Sequence, residues 1–210
     1  MSGNVDLPRP SKIVCVGRNY LEHARELGNE VPERPLIFFK PPSSLLADGE
    51  PIVLPCESER VEHEGEIAVV IGRRARHVPA PEAWDFVAGI APLNDVTARD
   101  LQKADGQWTR AKGFDTFCPI GPAVPLAAVD RDNLEVITRV NGEVRQHGRV
   151  GEMAFGIPQL IAYISGVMTL EPGDVIATGT PAGVGPLRDG DLVEVEIPGV
   201  GSVHNPVKHA

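Results

Sequence analysis

Short apolar runs that end at glycine or at polar turn residues dominate the hydrophobic pattern of the chain. Runs of this kind predict buried strands at residues 13–16, 36–39, 51–54, 66–71 and 87–93. Two further strands are predicted at 174–178 and 192–197, and the second alternates apolar residues with glutamate. The stretch 29–61 is rich in proline and has little periodicity, which indicates loops around its short strands.

One hairpin and two helices complete this pattern. Asn141-Gly142 lies between two strand-like runs, 136–140 and 143–146, and this dipeptide is typical of a type I′ turn. A short helix is expected at 20–27, with Asn19 as its N-terminal cap and Gly28 at its C-terminal end. Because strands outnumber helices, the expected fold is mixed α+β and mainly β. One longer amphipathic helix is predicted from apolar residues at helical spacing: Ile157, Leu160, Ile161, Ile164 and Met168.

Composition and charge exclude several classes of protein. The 210 residues include 22 glycines and 20 prolines without a period, which excludes a collagen-like or low-complexity chain and agrees with many turns. The formal net charge is −9 and no run of lysine or arginine interrupts it, so nucleic-acid binding is not expected.

The compartment is predicted from apolar runs and cysteines. No apolar run approaches the ~18 residues of a membrane span, and the start MSGNVDLPRPSK does not resemble a signal peptide. We therefore expect a cytoplasmic protein with no membrane partner. Cys15, Cys56 and Cys118 are far apart and form no CxxC motif, so we expect them to be reduced, mostly buried and without a metal or redox role.

Three carboxylates are candidates for a metal site. Glu64 and Glu66 would project to one face of a strand, about 6.5–7 Å apart along the chain, and would repel each other unless a cation lay between them. The alternative is a solvated strand edge. Asp95 follows an apolar run and could supply a third oxygen, or Asp95 or Thr97 could cap the next short helix; spacing alone does not bring Asp95 to Glu64. Three carboxylates without nearby cysteine favour Mg²⁺ or Mn²⁺ over Zn²⁺.

Other candidates for chemistry lie in the short helix and in a glycine-rich loop. His23 and Glu26 share a helix face, where the carboxylate would orient the imidazole as a general base; an exposed, hydrated pair is the alternative. The loop 178–185, TGTPAGVG, could hold a small anion through amides and hydroxyls, or it is a turn with two surface threonines. Three cations beside glycine or proline are, taken singly, expected to be surface charges: Arg18, Lys40 and Lys112.

Together these segments resemble the fumarylacetoacetate hydrolase family over about residues 11–207. The segments are GRNYLEHARELG (17–28), FFKPPSSL (38–45), VEHEGEIAVVIG (61–72), NDVTARDLQ (94–102), RAKGFDTFCPIGP (110–122), VNGEVRQ (140–146) and TGTPAGVG (178–185). So many ordered motifs are specific for the family. The start of the chain is most similar to the acylpyruvase and oxaloacetate decarboxylase branch, and bacterial isomerase/decarboxylases of homoprotocatechuate breakdown share most of the motifs.

The resemblance implies a fold and a site. The fold would be a β-roll or barrel-like core with peripheral short helices, usually dimeric, in which residues 1–10 form a lead-in, 11–210 one catalytic domain and 17–28 a possible lid helix. The nearest branch has Glu-Leu-Glu where this chain has Glu-Gly-Glu, which keeps both ligands but also fits the isomerase-like members. The implied ligands of Mg²⁺ or Mn²⁺ are Glu64, Glu66 and Asp95, the implied catalytic residues are His23, Glu26 and Lys112, and the implied substrate-binding residues are Arg18, Gln102, Thr180 and Gly179.

The resemblance also implies a class of reaction. A Mg²⁺- or Mn²⁺-dependent hydrolase or lyase of this type would cleave the C3–C4 bond of a small 2-oxo acid, an acylpyruvate or oxaloacetate, through a metal-stabilised pyruvate enolate. One alternative is a 2-hydroxyhepta-2,4-diene-1,7-dioate isomerase or decarboxylase of aromatic catabolism, for which Arg73, Arg74 or Arg110 could supply an extra cationic contact. Another is an oxaloacetate tautomerase. The non-enzymatic alternative is a metal-stabilised protein that binds small acids without turnover.

Overall fold

The computed structural model describes residues 8–22 and 32–210 of the chain. Its strands are β1 Ile13–Gly17, β2 Leu36–Lys40, β3 Leu45–Leu46, β4 Ile52–Leu54, β5 Val61–His63, β6 Gly65–Ile71, β7 Val87–Asn94, β8 Thr97–Ala98, β9 Cys118–Pro119, β10 Val124–Pro125, β11 Glu135–Val140, β12 Glu143–Arg149, β13 Val175–Ala177, β14 Gly185–Pro186, β15 Leu192–Ile197 and β16 Gly201–His209. The α-helices are α1 Arg99–Asp105, α2 Thr109–Gly113 and α3 Ile157–Val167, and 3₁₀ helices lie at Pro42–Ser44, Ala80–Phe86, Leu126–Ala128 and Val150–Glu152. The prediction of a mixed, mainly β fold is confirmed.

Two large sheets pack against each other. The first has the strand order β10-β7-β6-β13-β1-β2 and the second has the order β12-β11-β15-β16-β4. Strands β6 and β7 of the first contact β11, β15 and β16 of the second. Two small sheets, β14-β5-β8 and β3-β9, complete the fold. Across residues 8–22 and 32–210 the strands do not close into a barrel, so the expected barrel-like core is an open, sheet-rich one.

The main hydrophobic core lies between these sheets and helix α3. The first sheet contributes Ile67, Val69 and Ile71 to this core. The second sheet contributes Val136, Val195, Ile197 and Val203, and helix α3 contributes Ile157, Leu160, Ile161 and Ile164. Four of the five apolar positions predicted for the helix are therefore buried, and Met168, just beyond its end, packs against them. Burial of each such side chain contributes roughly 1.5–3 kcal/mol to folding.

Local sequence signals correspond to the observed strands. The predicted strands overlap β1, β2, β4, β6, β7, β13 and β15, and the hairpin turn has φ of 54° at Asn141 and 81° at Gly142, as a type I′ turn requires. Strand β16 was not predicted, because Pro206 and polar residues obscure the buried alternation of Val203, Asn205 and Val207. It pairs with β15 and, in parallel, with β4.

Several expectations about single residues have definite outcomes. Helix α1 has Ala98 at its N-cap, so neither Asp95 nor Thr97 caps it, and the Thr97 hydroxyl donates to the Asp95 carbonyl at 2.8 Å. The predicted helix at 20–27 lies mostly outside the described residues, of which 21 and 22 are helical. All three cysteines are free; two are buried and Cys56 is exposed. None of the helices in the described part combines the length and apolar character needed to cross a bilayer.

Within the described residues, the Asn19 side chain bonds to Phe155 and Thr178 rather than making the helix-capping hydrogen bond that its position predicts. Its side-chain amide donates to the carbonyls of Phe155 at 3.0 Å and Thr178 at 2.8 Å, and its Oδ1 accepts the Phe155 amide at 2.9 Å. Asn19 therefore connects the end of β1 to the glycine-rich loop.

Candidate metal centre

Pairing between β6 and β7 brings the three candidate carboxylates together. Gly65 pairs with Asn94 across these antiparallel strands, and the Asp95 amide donates to the Glu64 carbonyl at 2.8 Å. Glu64, Glu66 and Asp95 each place one carboxylate oxygen within 4.8 Å of the other two, and all three residues are buried. The solvated strand edge considered as the alternative for Glu64 and Glu66 is thereby excluded. Spacing along the chain could not supply this cross-strand contact.

Two buried lysines face this acidic cluster. The Lys112 ammonium, from α2, donates to Oε2 of Glu64 at 2.7 Å and to Oδ2 of Asp95 at 2.6 Å. Lys40, at the end of β2, donates to Oδ1 of Asp95 at 2.7 Å and to the Val96 carbonyl at 3.0 Å. Each lysine is only 1% exposed, so the expectation that they are surface charges is wrong. Their burial is possible because each ammonium is paired with a carboxylate.

Arg99, the first residue of α1, links the cluster to a fourth carboxylate. Its guanidinium donates to Oε2 of Glu62 at 2.7 Å and to Oε1 of Gln102 at 2.6 Å, and it forms an ion pair with Glu64. Burial opposes the charge of Arg99, but Glu64 and Glu62 more than compensate and raise its pKa above the ordinary value. Arg99 is therefore a permanent cation that holds Glu62 and Glu64 in place.

Neighbouring carboxylates also outweigh the effect of burial on the pKa of Lys112. Burial alone would lower the pKa of this lysine, yet the carboxylates of Asp95 and Glu64 hold the pKa above its ordinary value. Its ammonium also lies 5.0 Å from the centre of the Phe38 ring, which favours the charged form. Lys112 thus supplies a fixed positive charge beside the carboxylates.

Glu66 differs from the other two carboxylates. Its Oε2 accepts the Gly179 amide at 2.8 Å, and it forms no ion pair within residues 8–22 and 32–210. Burial raises the pKa of Glu66 well above its usual range, and the charges of Asp95 and Glu64 raise it further, whereas Lys112 lowers it. A cation placed among the three carboxylates would favour the ionised form of Glu66.

The donor set fits a hard divalent cation. It offers carboxylate oxygens only, without cysteine or histidine, and Mg²⁺ and Mn²⁺ prefer such ligands. Glu66 in particular is a buried carboxylate for which the described residues provide no ion-pair partner. Three protein oxygens would leave coordination positions for water or for oxygens of a small ligand.

A cavity lies over the carboxylates. It encloses about 440 Å³ of space outside protein atoms, part of it open to solvent. Phe38 and Trp108 form an apolar wall, with ring centroids 5.0 Å apart in an edge-to-face arrangement. Arg18 also lines the cavity, and within the described ranges its side chain makes no hydrogen bond or ion pair. The cavity thus places the Arg18 guanidinium, which has no partner among the described residues, beside the acidic cluster, and it suits a small anion.

Comparison with known proteins identifies the family. Residues 12–208 match the family described as Fumarylacetoacetate (FAA) hydrolase C-terminal. The chain belongs to the fumarylacetoacetate hydrolase family. Among its relatives is "Oxaloacetate tautomerase FAHD1, mitochondrial" of Arabidopsis thaliana, which is 52% identical over 198 residues, or 92% of this chain and 89% of the relative. "Oxaloacetate decarboxylase, mitochondrial" of Dictyostelium discoideum is 47% identical over 195 residues, or 90% of this chain and 89% of the relative.

Solved structures share the fold of this family member. The crystal structure of 2-hydroxyhepta-2,4-diene-1,7-dioate isomerase from Mycobacterium marinum has a TM-score of 0.88 and 49% sequence identity, and the match covers 96% of this chain and 75% of that one. The family resemblance expected from the sequence motifs is therefore confirmed.

The structure brings most residues implied by the family resemblance to one place. Arg18, Gln102 and Thr180 line the cavity with the carboxylates and Lys112. Gly179 contributes through its amide, which donates to Glu66. Thr178 is fully buried and Thr180 is 4% exposed, so the alternative of a turn with two surface threonines is wrong. His23 and Glu26 lie outside the described residues.

The three arginines considered for a longer substrate lie away from the cavity. Arg73 stacks over the Phe86 ring, Arg74 pairs with Glu171, and Arg110 pairs with Asp105. None of the three lines the cavity over the carboxylates. An extra cationic contact for a dienedioate therefore does not come from them.

Sequence reasoning missed Arg99, Trp108 and the partner role of Lys40. Arg99 stands in the motif NDVTARDLQ, four residues after Asp95, and its place at the start of a helix behind a ligand was the available signal. No local signal indicates that Trp108 would form a cavity wall with Phe38, because these residues are 70 positions apart.

Proposed function

We propose that this chain is a divalent-metal-dependent enzyme that cleaves the C3–C4 bond of a small 2-oxo acid, by hydrolysis of an acylpyruvate or decarboxylation of oxaloacetate. The observation that carries the proposal is the convergence of Glu64, Glu66 and Asp95, with Lys112 beside them, beneath a partly open cavity. Relatives named oxaloacetate tautomerase and oxaloacetate decarboxylase support the substrate class. The homodimer that the family resemblance implies is part of the same proposal.

The three carboxylates would hold Mg²⁺ or Mn²⁺. When bound, the ion supplies a Lewis acid for the negative charge that develops on the 2-oxo oxygen as the C3–C4 bond breaks. The Lys112 ammonium adds a fixed positive charge on the same side, in a buried site where such a charge acts strongly. Lys40 and Arg99 keep the ligands in place because each donates to at least one of them.

The cavity residues would bind the substrate carboxylate. The Arg18 guanidinium has no partner in the described ranges, so a substrate carboxylate would not have to displace a carboxylate of those residues from it. Gln102 and Thr180 add polar contacts, and Gly179 acts through Glu66. The Phe38 and Trp108 wall would exclude water from one side of the substrate.

His23 and Glu26 would provide the general base for hydrolysis. For an acylpyruvate, His23 oriented by Glu26 would take a proton from the water that attacks C4. Oxaloacetate needs no water, because CO₂ leaves from C3 and the same enolate remains. The loss of a proton from C3 would instead give oxaloacetate tautomerisation, which is the second candidate and is favoured by the 52% identical relative of that name.

The test is a turnover assay by ultraviolet absorbance with acetylpyruvate, oxaloacetate and a dienedioate as substrates. We expect turnover of at least one small 2-oxo acid with Mg²⁺ or Mn²⁺, a loss of about 100-fold or more after treatment with EDTA, and recovery when the metal is restored. Full activity after chelation would contradict the metal mechanism. No reaction of any substrate would favour the protein that binds acids without turnover.

His23→Ala in the same assay separates the two reactions. If His23 activates water, hydrolysis should fall by about 10²–10⁴-fold, the usual contribution of a general base, and decarboxylation should fall much less. The matched control is His209→Ala, since His209 is exposed and its described hydrogen bond uses only the backbone amide. Equal losses in both reactions would contradict water activation by His23.

A further inference from the structure

A buried glutamine on β12 joins two segments of the candidate site. Gln146 is 1% exposed, and its Oε1 accepts Nδ1–H of His63 at 3.1 Å and the Gly65 amide at 2.9 Å. Its Nε2 donates to Oγ1 of Thr180 at 2.7 Å and to the Pro181 carbonyl at 2.8 Å. The side-chain amide therefore uses both acceptor positions and both donor hydrogens.

Backbone partners determine which way this amide points. The Gly65 amide can only donate and the Pro181 carbonyl can only accept, so Oε1 faces the first and Nε2 faces the second. It follows that Nδ1 of His63 carries the proton, and that Thr180 accepts from Gln146. The Thr180 hydroxyl then donates its own hydrogen to the Gly65 carbonyl at 2.9 Å, which fixes its orientation.

The two ends of Gln146 hold different parts of the site. The acceptor end holds Gly65, which lies between the ligands Glu64 and Glu66. The donor end holds Thr180 and Pro181, in the glycine-rich loop that lines the cavity. The side chain thus spans from the ligand strand to the loop, and both ends are shielded from water.

We infer that Gln146 is a positioning residue that couples the metal-ligand strand to the substrate loop. Its acceptor end keeps the ligands in register, and its donor end keeps Thr180 directed at the cavity. The part of this inference that concerns Thr180 rests on the proposed function, in which Thr180 contacts the substrate. The contact network itself does not depend on that function.

Gln146→Glu removes the donor end and keeps the acceptor end. A carboxylate keeps the acceptor for Gly65 but donates to neither Thr180 nor Pro181. With oxalate as a non-reacting analogue of a 2-oxo acid, calorimetry in the presence of Mn²⁺ should show oxalate binding weakened by about 10-fold or more, the usual effect of a lost buried hydrogen bond with an unpaired partner. Mn²⁺ affinity, measured by electron paramagnetic resonance, should change by less than about threefold.

The matched control is Gln159→Glu. Gln159 is exposed on α3, and the hydrogen bond of its side chain is the one that its Oε1 accepts from the Gly156 amide at 2.9 Å. Glutamate retains that acceptor, so the same chemical change should leave both oxalate and Mn²⁺ affinities unchanged. Gln146→Met removes both ends without adding charge, and it should weaken the binding of both Mn²⁺ and oxalate.

Hydrogen exchange provides a readout that does not depend on the function. In Gln146→Glu, amides of 178–185 should exchange faster while those of 64–66 remain protected; in Gln146→Met both segments should exchange faster. Failure of the wild type to bind oxalate would count against the proposed function only. Two results with Gln146→Glu would overturn the inference: unchanged hydrogen exchange in 178–185, or equal weakening of Mn²⁺ and oxalate binding. If Gln146→Glu does not fold, unchanged hydrogen exchange of both segments in Gln146→Met would overturn it.

Discussion

Gly65 separates two of the candidate metal ligands, and a larger residue there would meet Thr138. A Cβ at this position would lie 1.9 Å from Oγ1 of Thr138 and 3.2 Å from its Cβ. Thr138 stands on β11 in the second large sheet and is fully buried, and its hydroxyl has no hydrogen-bond partner within residues 8–22 and 32–210. The Glu-Gly-Glu sequence therefore follows from a contact between the two sheets, which the sequence around Gly65 does not indicate.

This contact predicts a dependence between the two positions. Gly65→Ala should destabilise the protein by about 1–3 kcal/mol through overpacking. Thr138→Ala alone should cost about 1 kcal/mol, because it removes a buried γ-methyl group together with a hydroxyl that makes no hydrogen bond in the described ranges. In the Thr138→Ala background the cost of Gly65→Ala should fall to about half or less, as measured by urea unfolding of all four proteins. Strictly additive effects would show that the two residues do not collide.

At the scale of elements, the junction of β5 and α1 depends on one arginine. The Glu62 carboxylate of β5 accepts hydrogen bonds from Nε–H of Arg99 at 2.7 Å and from Nε–H of Arg60 at 2.6 Å. The Arg99 side chain is 6% exposed and that of Arg60 is 59% exposed. Arg99 therefore compensates a buried charge, whereas Arg60 adds a pair that water screens.

Substitution of the two arginines should separate these contributions. Arg99→Met should cost about 3–5 kcal/mol of the free energy of unfolding, because Glu62 and Glu64 would remain buried without that cation. Arg60→Met, the matched control, should cost about 0–1 kcal/mol. Chemical denaturation of both variants at pH 7 measures the difference. Equal losses in the free energy of unfolding would contradict the view that burial determines how much each ion pair contributes to stability.

Elements with strong local signals were predicted well from the sequence. The Asn141-Gly142 hairpin and helix α3 carry their own turn chemistry or apolar period. Strand β16 carries no such local signal, and it forms through pairing with its neighbours β15 and β4. The glycine-rich loop was found as a loop, but the burial of Thr178 and Thr180 depends on contacts with Ile67 and Gly65 on β6.

At the scale of the whole molecule, the sequence supplied residue types and the fold supplied distances. Glu64, Glu66 and Asp95 were recognisable as candidate ligands, and the family motifs named them together. Their separation within 4.8 Å depends on the register of β6 with β7, which the spacing of residues does not encode. The buried state of Lys40 and Lys112 depends in the same way on the packing of β2 and α2 beside that register.

The central claim is that these three carboxylates hold one divalent cation. Glu66→Gln tests it most sharply, because Glu66 makes no ion pair in the described ranges and its loss leaves the pairs of Lys112 intact. Glu59→Gln, at an exposed position, is the matched control.

The decisive measurement is a Mn²⁺ titration followed by electron paramagnetic resonance. The wild type and Glu59→Gln should bind one Mn²⁺ per chain in competition with Mg²⁺, and Glu66→Gln should bind it at least about 10-fold more weakly, since it replaces a charged oxygen ligand with a neutral one. Unchanged Mn²⁺ affinity in Glu66→Gln, or no bound Mn²⁺ in the wild type, would contradict the claim.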